Sequence, residues 1–329
     1  MSLLAEIRNN LVLPAIGAPM FLCSGVDLVA ETRKAGLVGS LTSNNCRDGA
    51  ELEWQLRTVN ERVDASRRKH PDRRIGPLAV NLALHHGPEQ MREYSELCRR
   101  HGVRIVITSV GDPGAMVEFV HDWGGLVFHD CTTLRFAEKA VAAGVDGIIA
   151  IGAGGGGHSG TISHLALVPQ IRAMFDGTIV MAGAIGTGAA IRAAEVLGAD
   201  LAYLGTRLIA TRESTAPTEY KQLLVSQQPR DLMYTPAING VPANWMMESM
   251  RRNGLDPLRL TQPTQRGTGH LPDHVKPWKT LWSAGQGIGL IDDVPSVAEL
   301  VGRLRQEYVA ACELPDMARH ARLPAKEAQ

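Results

Sequence analysis

The sequence contains no run of the ~18 apolar residues that a membrane span needs. Its opening stretch, MSLLAEIRNNLVLP, is interrupted at Glu6, so it reads as neither a signal nor a transit peptide. No CxxC pair occurs among the five cysteines, Cys23, Cys46, Cys98, Cys131 and Cys312, which argues against a disulfide framework and against a metal site of the zinc type. An excess of charge of either sign is lacking too. Lys+Arg and Asp+Glu each total 34, so no basic stripe invites nucleic acid or an anionic membrane. These absences together predict a reduced, cytoplasmic globular protein. An early GxGxxG turn is also missing, which counts against an open, doubly wound dinucleotide fold.

What the chain has is glycine, 34 residues of it, falling in clusters rather than repeats. A helical stretch, a glycine able to end it and a short apolar run recur at Gly36, Gly76, Gly102, Gly124, Gly144, Gly177 and Gly198. Each glycine suits the residue just past a helix end, where φ > 0 is needed. Each apolar run is too short and too uniform for a solvent-facing strand and reads as buried parallel strand. The opening run LVLPAIGAPM makes the eighth. Eight strand–helix units within the first ~215 residues, joined by right-handed crossovers, predict an α/β protein of the (β/α)₈ TIM-barrel class. The rhythm stops at Thr215. Residues 215–276, rich in Pro, Gln, Met and Asn, read as a helical and looped insertion laid over one end of the barrel. The barrel itself is expected over residues 1–214 and 277–313, with 314–329 a tail. Its last helix should start at Ser296, with Glu299 as the capping-box acid.

In such a barrel, ligands sit at the C-terminal ends of the strands, with phosphate after the seventh and eighth. The seventh strand is followed by Ala182-Gly183-Ala184-Ile185-Gly186-Thr187-Gly188, and the eighth by Leu204-Gly205-Thr206-Arg207. Glycines there let backbone N–H groups close on an anion, and the helix starts add their dipoles. The plainer alternative is a pair of tight turns. After the sixth strand lies Gly152-Ala153-Gly154-Gly155-Gly156-Gly157-His158-Ser159-Gly160. So many glycines cost folding entropy, and a planar ring lying against the backbone is the expected reason. His158 leaves this loop beside Gly157 and Ser159, with no bulky neighbour in sequence, and is expected to be catalytic rather than structural. Asn81 ends the third strand, where its amide offers a ring edge both donor and acceptor. His129-Asp130-Cys131 ends the fifth, as a cofactor donor or a capped turn. Ala18-Pro19-Met20 ends the first, where Met20 packs on a ring or on core. Cys131 has no thiol-activating partner in view.

Taken together these motifs resemble the nitronate monooxygenase family, formerly called 2-nitropropane dioxygenases. The resemblance runs from APM through AVNLAL, VFHDCT, AGVDGIIAIGAGGGGHSGT, VMAGAIGTG and GADLAYLGTRLIATRES to WSAGQGIGLIDDVP, nearly the whole chain. It implies an FMN-dependent (β/α)₈ enzyme that oxidises nitronates or nitroalkanes with O2 to a carbonyl compound and nitrite. It makes His158 the active-site histidine, Asn81, Gly156, Gly157, Gly183, Gly205 and Thr206 contacts of the FMN, and Ala18 and Met20 walls beside it. Ala184 stands where many relatives have a second glycine, so that phosphate turn must tolerate a methyl group. Asp130 stands where some relatives have lysine, which leaves His129 as the donor expected near the cofactor.

Other readings of the same residues stay open. The same fold and flavin loops would next serve an FMN-dependent NAD(P)H reductase of a quinone or an enoyl thioester, and the fold, after that, a phosphosugar or nucleotide enzyme. A flavin-holding component that docks a partner through Met246, Met247 and Met250 is a further one. Neither the substrate nor self-association is fixed by sequence.

Overall fold

The computed structural model describes residue 7, residues 9–84 and residues 87–313; the expected tail lies outside the described residues. Eight parallel strands close into a barrel in chain order. They are β1 Ala15–Gly17, β2 Val38–Thr42, β3 Leu78–Ala83, β4 Ile105–Ser109, β5 Leu126–Cys131, β6 Gly147–Ile151, β7 Thr178–Ala182 and β8 Leu201–Leu204. β1 closes the ring against β8, with Ile16 opposite Tyr203. Side chains alternate across each strand. Ile16, Val38, Ala79, Ile107, Phe128, Ile149 and Val180 fill the barrel, while Val80, Val106, Val127, Ile148 and Ile179 pack outward in the core shared with the helices. Both faces are therefore buried, which is why these strands read as uniform apolar runs.

The outer layer comprises α1 Val26–Lys34, α2 Gly49–Lys69, α3 Pro88–Arg100, α4 Gly114–His121, α5 Leu134–Ala142, α6 His164–Met174 and α7 Gly188–Val196. A four-residue helix, α8 Thr206–Ile209, follows β8, and α9 Thr218–Ser226 and α10 Met247–Arg252 belong to the expected insertion. The eighth position of the ring is filled by α11, Val297–Cys312, packed against α7 and α1. Ser296 and Glu299 cap α11 reciprocally, as the capping-box pattern requires. Gly36, Gly102, Gly124, Gly144 and Gly198 have positive φ, as helix-ending glycines should. Gly76 and Gly177 do not, and a different constraint holds them. A Cβ on Gly76 would lie 1.7 Å from the Leu37 carbonyl oxygen, and one on Gly177 would lie 2.2 Å from the Phe175 ring. Close approach, not backbone handedness, requires glycine there.

Residues 215–276 were expected to be helix and loop, yet they also contain strand. β9, Leu232–Thr235, pairs antiparallel with β10, Ala243–Met246. β10 in turn pairs with the two residues Gly157–His158, Ala243 opposite His158. Two four-residue strands with no alternation leave little sequence signal, and their third partner lies about 85 residues upstream, beyond any local window. The hairpin has its own core, in which Trp245 is fully buried among Ile238, Ala243, Met250, Val275 and Leu281. Met246 and Met250 are likewise fully buried, which removes them as an adaptable partner-binding surface.

Candidate active site

The C-terminal ends of the strands open into a cavity of about 1500 Å³. Every residue named from sequence lines it: Ala18, Met20, Asn81, His129, Gly156, Gly157, His158, Gly183, Ala184, Gly205 and Thr206. Residues far apart in the chain are thus brought to one place.

The two turns after β7 and β8 have the character of an anion cradle. The N–H groups of Ala184, Ile185 and Gly186, and that of Thr206, donate to no acceptor among the described residues. Unmatched backbone donors in a cavity wall are costly unless a ligand or water meets them. Gly183 has φ 126°, and a Cβ on it would fall 2.9 Å from Gly155 N, so the turn fits tightly under the glycine-rich loop. Ala184 adopts φ 57° and does carry its methyl group in the left-handed region, at a cost of about 1–2 kcal/mol. The start of α7 is not itself free. Gly188 N donates to Glu307 Oε2 at 2.6 Å, and Ala190 N to the Thr187 hydroxyl at 3.1 Å. The unmatched donors there belong to the turn preceding the helix. Thr206 also holds the site's far wall, since its Oγ1 accepts from Gly285 N at 2.9 Å. Arg207 plays a different part. It is buried and donates to Asp293 Oδ1 at 2.7 Å and to the Ala210 carbonyl at 3.3 Å, which ties β8 to the chain before α11.

The glycine-rich loop is clamped from above. Asn244 Nδ2 donates to the Gly155 carbonyl at 2.7 Å and to Ser159 Oγ at 3.2 Å, and the Tyr234 hydroxyl donates to the Ser159 carbonyl at 2.9 Å. A Cβ on Gly156 would lie 2.9 Å from both Gly285 N and Thr206 Oγ1, so the bare backbone is needed for the loop to reach the C-terminal segment.

His158 lacks bulky neighbours in sequence but not in space. The Trp278 ring meets it edge-on, centroids 5.4 Å apart, and Asn239 Nδ2 lies 3.2 Å from its Nε2. Burial lowers the imidazole's pKa, and Arg266 lowers it further, which favours the neutral ring. Arg266 and Trp278 line the same cavity. Asn239, Trp278 and Arg266 are 81, 120 and 108 residues from His158 in the chain, and no local motif announced them.

On β5 both members of the His129–Asp130 pair border the cavity, on opposite faces of the strand. His129 Nδ1 lies 2.8 Å from Thr108 Oγ1, its register partner on β4, and burial pushes its pKa down to about 4. Asp130 shares the face of Phe128, which is inside the barrel. Burial lifts Asp130 to about 7, and its Oδ1 has no hydrogen-bond partner. The Tyr203 hydroxyl, packed against the same inner core on β8, is unpartnered as well. His129 and Asp130 both line the cavity, Asp130 from the face directed into the barrel. Asn81 accepts from Thr42 Oγ1 at 3.0 Å and donates to the Ile107 carbonyl at 3.3 Å, leaving one amide hydrogen for a ligand.

The family model for nitronate monooxygenases matches residues 4–307. A (3aS,4S,5R,7aS)-5-hydroxy-7a-methyl-1-oxo-octahydro-1H-indene-4-carboxyl-CoA dehydrogenase of Rhodococcus jostii is 26% identical over 229 residues, 70% of this chain and 61% of that protein. A nitronate monooxygenase of Paraburkholderia phytofirmans is 32% identical over 199 residues, 55% of this chain and 54% of that protein. The chain thus spans under two thirds of the length of either relative. Among solved structures, FabK of Thermotoga maritima superposes with TM-score 0.73 at 22% identity, covering 96% of this chain and 98% of the other. Nitroalkane oxidase of Streptomyces ansochromogenes also gives 0.73 at 22% identity, covering 93% and 98%; both likenesses concern the fold. With its model matched across nearly the whole barrel, the chain belongs to the nitronate monooxygenase family, a family of flavin-dependent oxidoreductases.

Proposed function

We propose that the chain is an FMN-dependent nitronate monooxygenase, converting alkyl nitronates with O2 to a carbonyl compound and nitrite. The observation that carries this reading is the meeting of His158 with the turns of an anion cradle in one cavity. The free N–H groups of Ala184, Ile185, Gly186 and Thr206 would hold the FMN phosphate, while Gly156 and Gly157 would let the ring lie against backbone. When bound, FMN supplies the electron acceptor that links the nitronate to O2. The protein's part is orientation. A nitronate is already an anion, and His158, whose neutral form burial favours, would meet it as a hydrogen-bond donor. Arg266 at the cavity mouth adds the positive field that draws an anion in. Trp278 stands against the imidazole, with centroids 5.4 Å apart. Purified protein should release FMN on heating and form nitrite with oxygen uptake when given ethylnitronate. Release of FAD, or full FMN occupancy without nitrite, would overturn this assignment.

A second reading is supported by the cavity's size. About 1500 Å³ exceeds the ~300–1,000 Å³ typical of small-molecule sites, and the cavity extends to the exposed Val110 and Phe136. That space would suit an FMN-dependent NAD(P)H reductase of an enoyl thioester or a quinone, the former in keeping with the acyl-CoA named for the Rhodococcus relative. Flavin reduction by NADPH in the absence of oxygen would favour it.

A further inference from the structure

We infer that Asn239 fixes the proton of His158 on Nδ1 and so makes the site a receiver of preformed nitronate in preference to the neutral nitroalkane. This rests on the reading of His158 as the residue that meets substrate.

The argument begins with the amide. Asn239 Oδ1 accepts from Val241 N at 3.1 Å, a donor that cannot be turned round. Rotating the amide by half a turn would set its NH2 against that N–H. The Nδ2 group is therefore the one that faces His158 Nε2, at 3.2 Å. An amide NH2 has no acceptor to offer, so Nε2 must present its lone pair, and in a neutral imidazole the proton then resides on Nδ1. The amide is itself well placed. Gly267 N donates to the Asn239 carbonyl at 3.1 Å, and Gly240 N to the Pro236 carbonyl at 2.8 Å, with Gly240 at φ 80°. The ring also stands at right angles to Trp278, and its own backbone is held in the β10 pairing.

Two consequences follow. Protonating Nε2 would set two donors face to face, so Asn239 opposes the imidazolium in addition to burial and Arg266, the charged group that acts on the ring. The lone pair that would take an α-proton from a nitroalkane is turned toward Asn239. Nδ1 has no partner among the described residues, and its N–H is the group left for a nitronate oxygen.

Asn239→Asp tests this by reversing the polarity of the contact. The carboxylate accepts from Nε2–H, Nδ1 becomes the base, and the ring's pKa rises. The ratio of kcat/KM for nitroethane to that for ethylnitronate should increase at least about tenfold, given that general-base catalysis is worth about 10²–10⁴-fold. Asn239→Ala, which removes the donor without adding charge, should move the ratio the same way by less. Nitrogen-15 NMR of histidine-labelled protein reads the tautomer without any turnover. It should show Nδ1–H at His158 in the native chain and Nε2–H in Asn239→Asp. An Nε2–H tautomer in the native protein, or an unchanged ratio in both folded variants at full FMN occupancy, overturns the inference. Absence of nitronate turnover in the native protein would instead overturn the proposed activity, while the NMR result still decides the proton's position.

Discussion

Gly205→Asp is the sharpest probe of the anion cradle, because the structure separates its effect on folding from its effect on binding. A Cβ built on Gly205 meets nothing closer than 3.8 Å, the nearest atoms being Ala18 Cβ and Met20 Sδ. The backbone there has φ −107°, outside the left-handed region, so a side chain adds no strain of that kind. Gly205→Ala should therefore lie within about 1 kcal/mol of the native chain. A carboxylate at the same position is another matter. Two unit charges about 4 Å apart at an effective dielectric of about 20 repel by roughly 4 kcal/mol, or about 10³-fold in FMN affinity at about 1.4 kcal/mol per decade. Flavin fluorescence titration gives the dissociation constants, and thermal melting monitored by circular dichroism supplies the folding control. Gly183 is a poorer place to ask the question. At φ 126°, with a Cβ only 2.9 Å from Gly155 N, any substitution would break the turn as well as crowd the anion. A folded Gly205→Asp protein that binds FMN as tightly as the native chain would refute the cradle.

Three other expectations follow from the same geometry. Burial lifts Asp130 from 3.8 to about 7, so rising pH ionises the unfolded chain first and stability is lost across that window. Asp130→Asn should therefore melt higher than the native protein by a margin that widens from pH 5 to pH 8, up to about 4 kcal/mol at about 1.4 kcal/mol per unit; a margin that narrows would contradict the sign. His158→Phe removes a donor to an anion, worth about 1.5–3 kcal/mol, so kcat/KM for ethylnitronate should fall about 10–150-fold with FMN content unchanged. Unaltered kinetics would return His158 to a structural role. Asp293→Ala leaves Arg207, 3% exposed, without a carboxylate that is itself 40% exposed, and should cost about 1–3 kcal/mol in denaturant unfolding; a change below about 0.5 kcal/mol would show that the pair is dispensable.

The barrel was legible because its strands are buried on both faces. Each leaves a short uniform run such as Ile105–Ser109 or Thr178–Ala182, often preceded by a glycine that ends a helix. That the turns at Gly183 and Gly205 and the bare loop of His158 would meet at one cavity was legible because the architecture brings the C-terminal strand ends together. The clamp over His158 was not. Asn239, Trp278 and Arg266 act through contacts between distant segments, and the strands β9 and β10 are too short to show a period. The inward orientation of Asp130 is different, because a signal existed. Phe128 is the residue that fits the barrel interior, and alternation carries that face to Asp130 rather than to His129.

The central claim, that bound FMN takes its electrons from a nitronate held at His158, is tested most directly by an anaerobic absorption spectrum of the FMN-replete protein mixed separately with ethylnitronate and with NADPH. The account predicts loss of the oxidised flavin bands with ethylnitronate and their return, with nitrite, when oxygen is admitted. Bleaching by NADPH alone, with the ethylnitronate spectrum unchanged, would contradict it and point to the reductase.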